Sequence, residues 1–438
     1  TVRMDGTVHA MKKTLPKSME RFLAELKEKA AAHPQWMEQF YTCYANTLDT
    51  TVKKMEDGTV HVITGDIPAM WLRDSTAQLR PYVFLAKEDA EIKELLIGLV
   101  KRQFFYLCTD IYANAFNEAP NGACWEKDDP DQSPWVWERK FEIDSLCYPI
   151  QLAYLLWKNV GCTEQFDANF QKGVREILRV FCTEQHHEEQ SSYRFMRSNS
   201  YATDTLSRDG KGALVRSGCG LIWSGFRPSD DACRYGYLIP SNMFAVVVLG
   251  YLEEIAAEIL EDEGLRQEAR ALKEEVYQAI EAIGKTKTEE FGEIYAYETD
   301  GYGMYNLMDD ANVPSLLSMS YLGYPADQEI ADRTRKFLLS EANPYYFEGS
   351  AAAGIGSGHT PSGYIWHIAL AMQGLTETDQ KEKEKLLDML TQTTGGKGMM
   401  HEGFCKDDPT RYTREWFSWA NAMYAELFLD YFGYRLRV

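Results

Sequence analysis

The stretch EIDSLCYPIQLAYLLWKNV, residues 142–160, places Ile143, Leu146, Cys147, Ile150, Tyr154 and Trp157 three or four positions apart. That spacing gathers them on one face of an α-helix. The same period runs through SMERFLAELKEKAAA (18–32) and AEIKELLIGLVKRQFFYLC (90–108), and through 164–182, 242–260, 263–283, 326–340, 362–374, 379–393 and 412–430. Pro240 followed by Ser241-Asn242, and Thr163 before an acidic first turn, read as helix starts. Strand signals are few: TVHVITG (59–65) and EIYAYETDGYGMYNL (293–307), the latter with an Asp-Gly turn at 300–301. Roughly a dozen helices with short hairpins between them predict an all-α fold, an (α/α)6 barrel. No fixed repeat supports the rival, a helical solenoid.

No Ser/Gly-rich linker splits the 438 residues, so one domain over 1–438 is expected. Six long connections, 61–75, 110–142, 197–240, 299–315, 343–363 and 395–413, are rich in Gly, Pro, Trp and polar residues. Connections this long in a compact domain usually carry function, and in a helical barrel they would wall a pocket at one end.

Formal net charge is −20, which disfavours nucleic acid and anionic membranes as partners. Aromatic residues make up 13% of the chain; they fill a core, and flat rings with polar tips also suit sugars. Nine cysteines, odd in number and without C-x-x-C spacing, read as reduced and mostly buried thiols. With no signal peptide or apolar span of membrane length in view, a cytoplasmic bacterial protein is expected.

Five stretches hold the candidate chemistry. GDIPAMWLRDSTAQLRPY (65–82) joins a ring, Trp71, to Arg73 and Asp74, a combination that grips adjacent sugar hydroxyls; Asp74 or Ser75 can equally cap a following helix. WVWERKFEIDSLCYP (135–149) sets Lys140, Glu142 and Asp144 at a helix start, where acids also suit the helix dipole. WSGFRPSDD (223–231) pairs Asp230 with Asp231: a structural turn, or a site holding one acid protonated beside another. GSGHTPSGYIWHIAL (356–370) offers His359 in a Gly-rich loop, Pro361-Ser362 as a helix start, then Trp366 and a core histidine, His367. GGKGMMHEGF (395–404) flanks Glu402 with Met400 and Phe404, so burial can tune it; Trp416, Trp419 and Met423 downstream read as core. QHHEEQ (185–190) reads as a polar turn. Phosphate-cradling glycine motifs and H-E-x-x-H are missing, so neither a cofactor nor a metal is indicated.

Taken in order over residues 15 to 435, these motifs resemble glycoside hydrolase family 125, exo-α-1,6-mannosidases. The resemblance implies an (α/α)6 barrel and metal-independent, inverting release of one terminal α-mannose from an oligosaccharide such as an N-glycan fragment. It implies that the acid is Asp230 or Asp231, with Asp230 preferred and its pKa raised by burial and a negative neighbour. The base is then Glu402. Trp71, Arg73, Asp74, Lys140, Glu142, Asp144, Asp231, His359 and Trp366 are implied around the sugar. An inverting α-glucosidase and a non-hydrolytic sugar-binding protein are the alternatives; a histidine-based epimerase has too few, too scattered histidines.

Overall fold

The computed structural model describes residues 15–198 and 200–438. Helices on the outside alternate along the chain with helices on the inside. The outer set is Pro34–Thr50, Ala90–Thr109, Ala168–Glu184, Glu263–Ile283, Gln328–Leu338 and Gln380–Gln392. The inner set is Leu72–Leu79, Ile143–Val160, Ile239–Glu258, the short Met319–Leu322, His367–Leu375 and Ser418–Tyr431. Ser418–Tyr431 packs against both His367–Leu375 and Leu72–Leu79, closing the ring, and Leu72–Leu79 packs on Ile143–Val160, which packs on Ile239–Glu258. The fold is an (α/α)6 barrel.

Burial pattern separates the two sets. Glu263–Ile283 is amphipathic, burying Leu265, Ala269, Leu272, Val276, Ala279 and Ile280, and Asp262 caps it by accepting from Leu265 N. Leu72–Leu79, by contrast, buries all eight residues, Arg73 and Asp74 among them. Ile239–Glu258 is long and apolar enough by composition to cross a membrane, which corrects the expectation that the chain has no apolar span of that length. Here the barrel surrounds it, and its buried residues include Met243, Phe244, Val248, Leu249 and Leu252.

Other expectations need adjustment. Pro34–Thr50 lies outside the predicted set, because buried Gln39 and Thr47 interrupt its apolar face of Trp36, Phe40, Cys43, Tyr44 and Leu48. Ile239–Glu258 starts three residues early, so Asn242 sits inside it and binds Ile222 N and O instead of capping. Asp167, not Thr163, caps Ala168–Glu184 through Phe170 N. Asp74 and Ser75 fall within the first turn of their helix and do not cap it. Pro361 and Ser362 precede a strand, Tyr364–Trp366, and His367 opens the helix. His187–Gln190 is a short helix whose His187 is buried against Trp223 and bonded to Glu184, rather than a polar turn. Four of the nine thiols, those of Cys43, Cys147, Cys162 and Cys233, are buried, and Cys182 is exposed. Both expected hairpins form: Val60–Val62 pairs with Val52–Lys54, and Glu298–Thr299 with Tyr305–Asn306.

At the end of the barrel remote from the long loops, Arg80 of one inner helix region donates Nε to Glu426 Oε1 (2.8 Å) of another, and Tyr321 donates to the second oxygen (2.6 Å). Glu426→Ala strips buried Arg80 and half-buried Tyr321 of their acceptor. It is expected to lower unfolding free energy by about 3–5 kcal/mol, read from urea midpoints.

Candidate active site

Every long connection leads into the N-terminal end of an inner helix, so all six meet at one pole. They enclose a cavity of 490 Å³ lined by Thr64, Trp71, Arg73 and Asp74; Trp125, Glu138 and Lys140; Arg197, Asp204 and Asp230; Asn312; His359 and Trp366; and Glu402, Arg414, Phe417 and Trp419. Inner helix N-termini carry partial positive charge, which favours the acids gathered there.

Arg73 forms the floor. Its guanidinium is ion-paired with Asp74 (3.2 Å), Asp144 (3.4 Å), Asp230 (3.3 Å) and, most closely, Glu142, and it lies over the Trp419 ring at 5.4 Å. Burial raises Glu142 well above the usual carboxylate range, the charge of Asp230 adds to the rise, and Arg73 opposes both. Burial likewise carries Asp144 to about 7 against Arg73. Trp71 is held beside Arg73 by a three-stranded sheet, Met70–Trp71 on Ala115–Phe116 on Val136–Glu138.

The RPSDD turn separates the two aspartates. Arg227 clamps the turn to buried Glu298 with two hydrogen bonds (2.8 and 2.7 Å), and Arg227 N donates to Asp231 O (2.7 Å). Asp230 has φ +68°, a left-handed backbone that costs about 1 kcal/mol or more for a residue with a side chain. Lys140 Nζ donates to its carbonyl (2.7 Å) and holds it there. The consequence is opposite facing: Asp230 lines the cavity, while Asp231 lies behind the wall with Oδ1 2.9 Å from His359 Nδ1.

The electrostatics of Asp230 differ from expectation. Burial pushes its carboxyl up, but Arg73, a hydrogen bond from Glu142, Lys140 and His359 together hold it well below the usual range. Next to Asp230 it is Glu142 that is raised. The reason is placement: three cations converge on Asp230, whereas Glu142 sits deeper with Arg73 alone.

Glu402 lines the cavity next to a strand, Gly403–Cys405, that pairs with Tyr364–Trp366. Met400 and Phe404 are fully buried beside it, as expected, but Arg414 Nη1 also stands 3.4 Å from its Oε2. Arg414 is anchored in turn by Asp66 (2.6 Å) and Phe417. Asp230 precedes the third inner helix and Glu402 the sixth, opposite positions in a ring of six.

Of the residues implied from sequence, Trp71, Arg73, Asp74, Lys140, Asp230, His359, Trp366 and Glu402 line the cavity. Glu142, Asp144 and Asp231 stand one layer back and bind residues that do. Sequence reading missed Asp204, Arg414 and Asn114, whose amide donates to Glu138, Glu142 and Asp230, and it left Glu138 out of the residues around the sugar. Glu138 is inside WVWERK and its strand position next to Trp137 was a usable signal; Asn114 and Arg414 sit in loops with no periodic cue. Trp419, read as core, is buried and also walls the cavity.

Burial works against a charged His359, but its bond to Asp231 and the charges of Asp231, Glu402 and Asp230 outweigh that and carry its pKa to about 9. A raised folded-state value stabilises the fold fully below the unfolded pKa of about 6.5, and this contribution is lost as pH rises through 9. Asp231→Asn is expected to bring the His359 midpoint down towards the ordinary value, measured by NMR titration of its ring; an unmoved midpoint contradicts the pairing.

Comparison with known proteins agrees with this geometry. The family described as metal-independent alpha-mannosidase (GH125) matches residues 33–429. A solved Streptococcus pneumoniae structure from that family of metal-independent alpha mannosidases, in a non-productive complex with α-1,6-mannobiose, is 51% identical with a TM-score of 0.93. The match covers 95% of this chain and 99% of that one. Meiotically up-regulated gene 157 protein of Schizosaccharomyces pombe is 37% identical over 446 residues, 94% of this chain and 85% of the yeast protein. A GH78 rhamnosidase from Bacillus sp. GL1 shares the fold alone, with a TM-score of 0.52 and 16% identity over 91% of this chain and 35% of that one. With the whole barrel and its loop motifs matched, the chain belongs to glycoside hydrolase family 125, the metal-independent α-mannosidases.

Proposed function

We propose that the protein is an inverting exo-α-1,6-mannosidase in which Asp230 is the general acid and Glu402 the general base. The observation that carries this reading is that one cavity is faced by these two carboxyls from loops rooted on opposite sides of the barrel. Inversion needs that opposition: one carboxyl protonates the leaving oxygen, and the other takes a proton from a water attacking the far face. A floor closed by Arg73 and its carboxylates admits a chain end, not a chain passing through, which supports exo action. The α-1,6-mannobiose bound by the pneumococcal relative supports the linkage.

In the reaction, the proton on the acid carboxyl goes to the glycosidic oxygen as the bond from the anomeric carbon breaks. Water forms the new bond to that carbon and gives its proton to Glu402. Arg73 and Asp74 suit a pair of adjacent mannose hydroxyls, the cation donating and the acid accepting. Trp71 and Trp366 offer ring surface against the sugar. His359, held by Asp231, stands near both carboxyls as a cation and offsets charge as it shifts between them.

Incubation with α-1,6-mannobiose, followed by proton NMR, should show β-mannose first; initial α-mannose contradicts the paired roles. Asp230→Asn and Glu402→Gln are each expected to lower kcat by about 10²–10⁴-fold. An α-1,6-linked glucose disaccharide should be hydrolysed far more slowly, and preference for it would make the enzyme a glucosidase.

A further inference from the structure

Glu142 is only 1% exposed and does not line the cavity, yet it shares both of its neutral and cationic partners with Asp230. Asn114 Nδ2 is 3.3 Å from Glu142 Oε1 and 3.3 Å from Asp230 Oδ1. Arg73 gives Nη1 to Glu142 and Nη2 to Asp230, the latter at 3.3 Å. One guanidinium and one amide thus hold two carboxyl groups face to face. Two carboxylates brought into contact in a buried site cannot both stay ionised, and a single proton between them is the stable arrangement.

We propose that Glu142 and Asp230 act as one carboxyl–carboxylate pair holding a single proton, with Glu142 the positioning residue that supplies that proton to the acid. This rests on Asp230 being the acid. The groups facing Glu142 are Arg73 from the first inner helix, Asp144 from its own helix, Glu138 from the adjoining strand through Asn114, and Asp230 and Cys233 from the RPSDD loop. Arg73 is the one cation among them, whereas Asp230 also faces Lys140 and His359. The resting proton accordingly lies towards Glu142, in line with the direction of both carboxyls. The one proton moves from Glu142 to Asp230 Oδ, leaving Glu142 as carboxylate on Arg73, and Asp230 passes that same proton to the glycosidic oxygen as its bond to the anomeric carbon breaks. Solvent then restores one proton to the pair, and Glu402 releases the one it took from water, so the cycle balances.

The test compares α-1,6-mannobiose, whose alkoxide must be protonated to leave, with 2,4-dinitrophenyl α-mannoside, whose phenolate leaves unaided. Without the Glu142 carboxyl, Asp230 is held as carboxylate by Arg73, Lys140 and His359. Glu142→Gln is therefore expected to lower kcat on mannobiose by about 10–100-fold and to move the alkaline limb of kcat/KM to lower pH. On the dinitrophenyl substrate the loss in kcat should be at least several-fold smaller than on mannobiose, since the step probed there is independent of the acid. Adding Glu142→Gln to Asp230→Asn should cost nothing further on mannobiose, because groups acting as a unit are not additive.

An unmoved alkaline limb, equal losses on both substrates, or an additive double variant would overturn the pairing. Asp230→Asn alone reports on the acid: equal losses on both substrates there mean that the acid assignment has failed, and a mannobiose-selective loss with an unmoved Glu142→Gln limb means that only the pairing has. Wild-type protein supplies a readout that needs no variant to fold. Of its protonated-carboxyl infrared bands, to which buried Asp144 and Asp309 also contribute, one should disappear over the same pH range as the alkaline limb, and a limb with no such loss contradicts the shared proton.

Discussion

The burial of one guanidinium organises this molecule. Arg73 is 3% exposed at the floor of the barrel mouth, and moving such a charge out of water costs several kcal/mol unless counter-charges meet it with good geometry. Asp74, Glu142, Asp144 and Asp230 supply them, and these come from two inner helices and a loop far apart in sequence. Four acids around one arginine leave an excess of negative charge. Burial therefore lifts Glu142, Asp144 and Asp74 above their usual range, Asp144 to about 7, and the cluster retains protons more tightly than free carboxyls do. A site that must deliver a proton to a sugar oxygen is built on that retention.

The barrel makes the cluster possible. Inner helices packed on all sides can place a polar residue in their first turn only where it meets its partners at the pole, since anywhere lower it would be buried without them. Their N-terminal ends converge there, and their dipoles favour acids over bases. Outer helices carry the ordinary apolar stripes and bear no direct part of the site. The far pole obeys the same rule with Arg80, Glu426 and Tyr321, so each end of the barrel is closed by an arginine whose charge is met from a different helix.

Backbone conformation decides which of two adjacent aspartates faces the cavity. At φ +68° Asp230 turns its carboxyl into the cavity, and the next residue necessarily points away. Arg227 with Glu298 and Lys140 with the Asp230 carbonyl maintain that conformation against its intrinsic cost. Asp231, facing the other way, keeps His359 charged. A dipeptide thus serves two different cavity groups from one turn.

Helix positions were legible because burial of one face imposes a 3.6-residue period on the letters: Glu263–Ile283 was delimited to the residue, and Ala90–Thr109 and Ile143–Val160 to within one. Long Gly-, Pro- and Trp-containing connections marked the functional pole, and motif order marked the family. Pro34–Thr50 escaped because buried Gln39 and Thr47 break its period. Helix starts slipped where a strand residue such as Trp71 or Trp366 runs directly into the helix without a polar cap. What no local pattern carries is which charges converge. Asn114 and Arg414 join the site by folding of irregular loops, and the low position of Asp230 against the raised Glu142 follows from Arg73, Lys140 and His359 meeting at one point. By itself the sequence determined the barrel, the family and the stretches that supply the chemistry, since each is written in periodicity or contiguous motif. Only the tertiary structure decided which aspartate faces the cavity and where the proton rests, because both depend on fields from residues brought together across the ring.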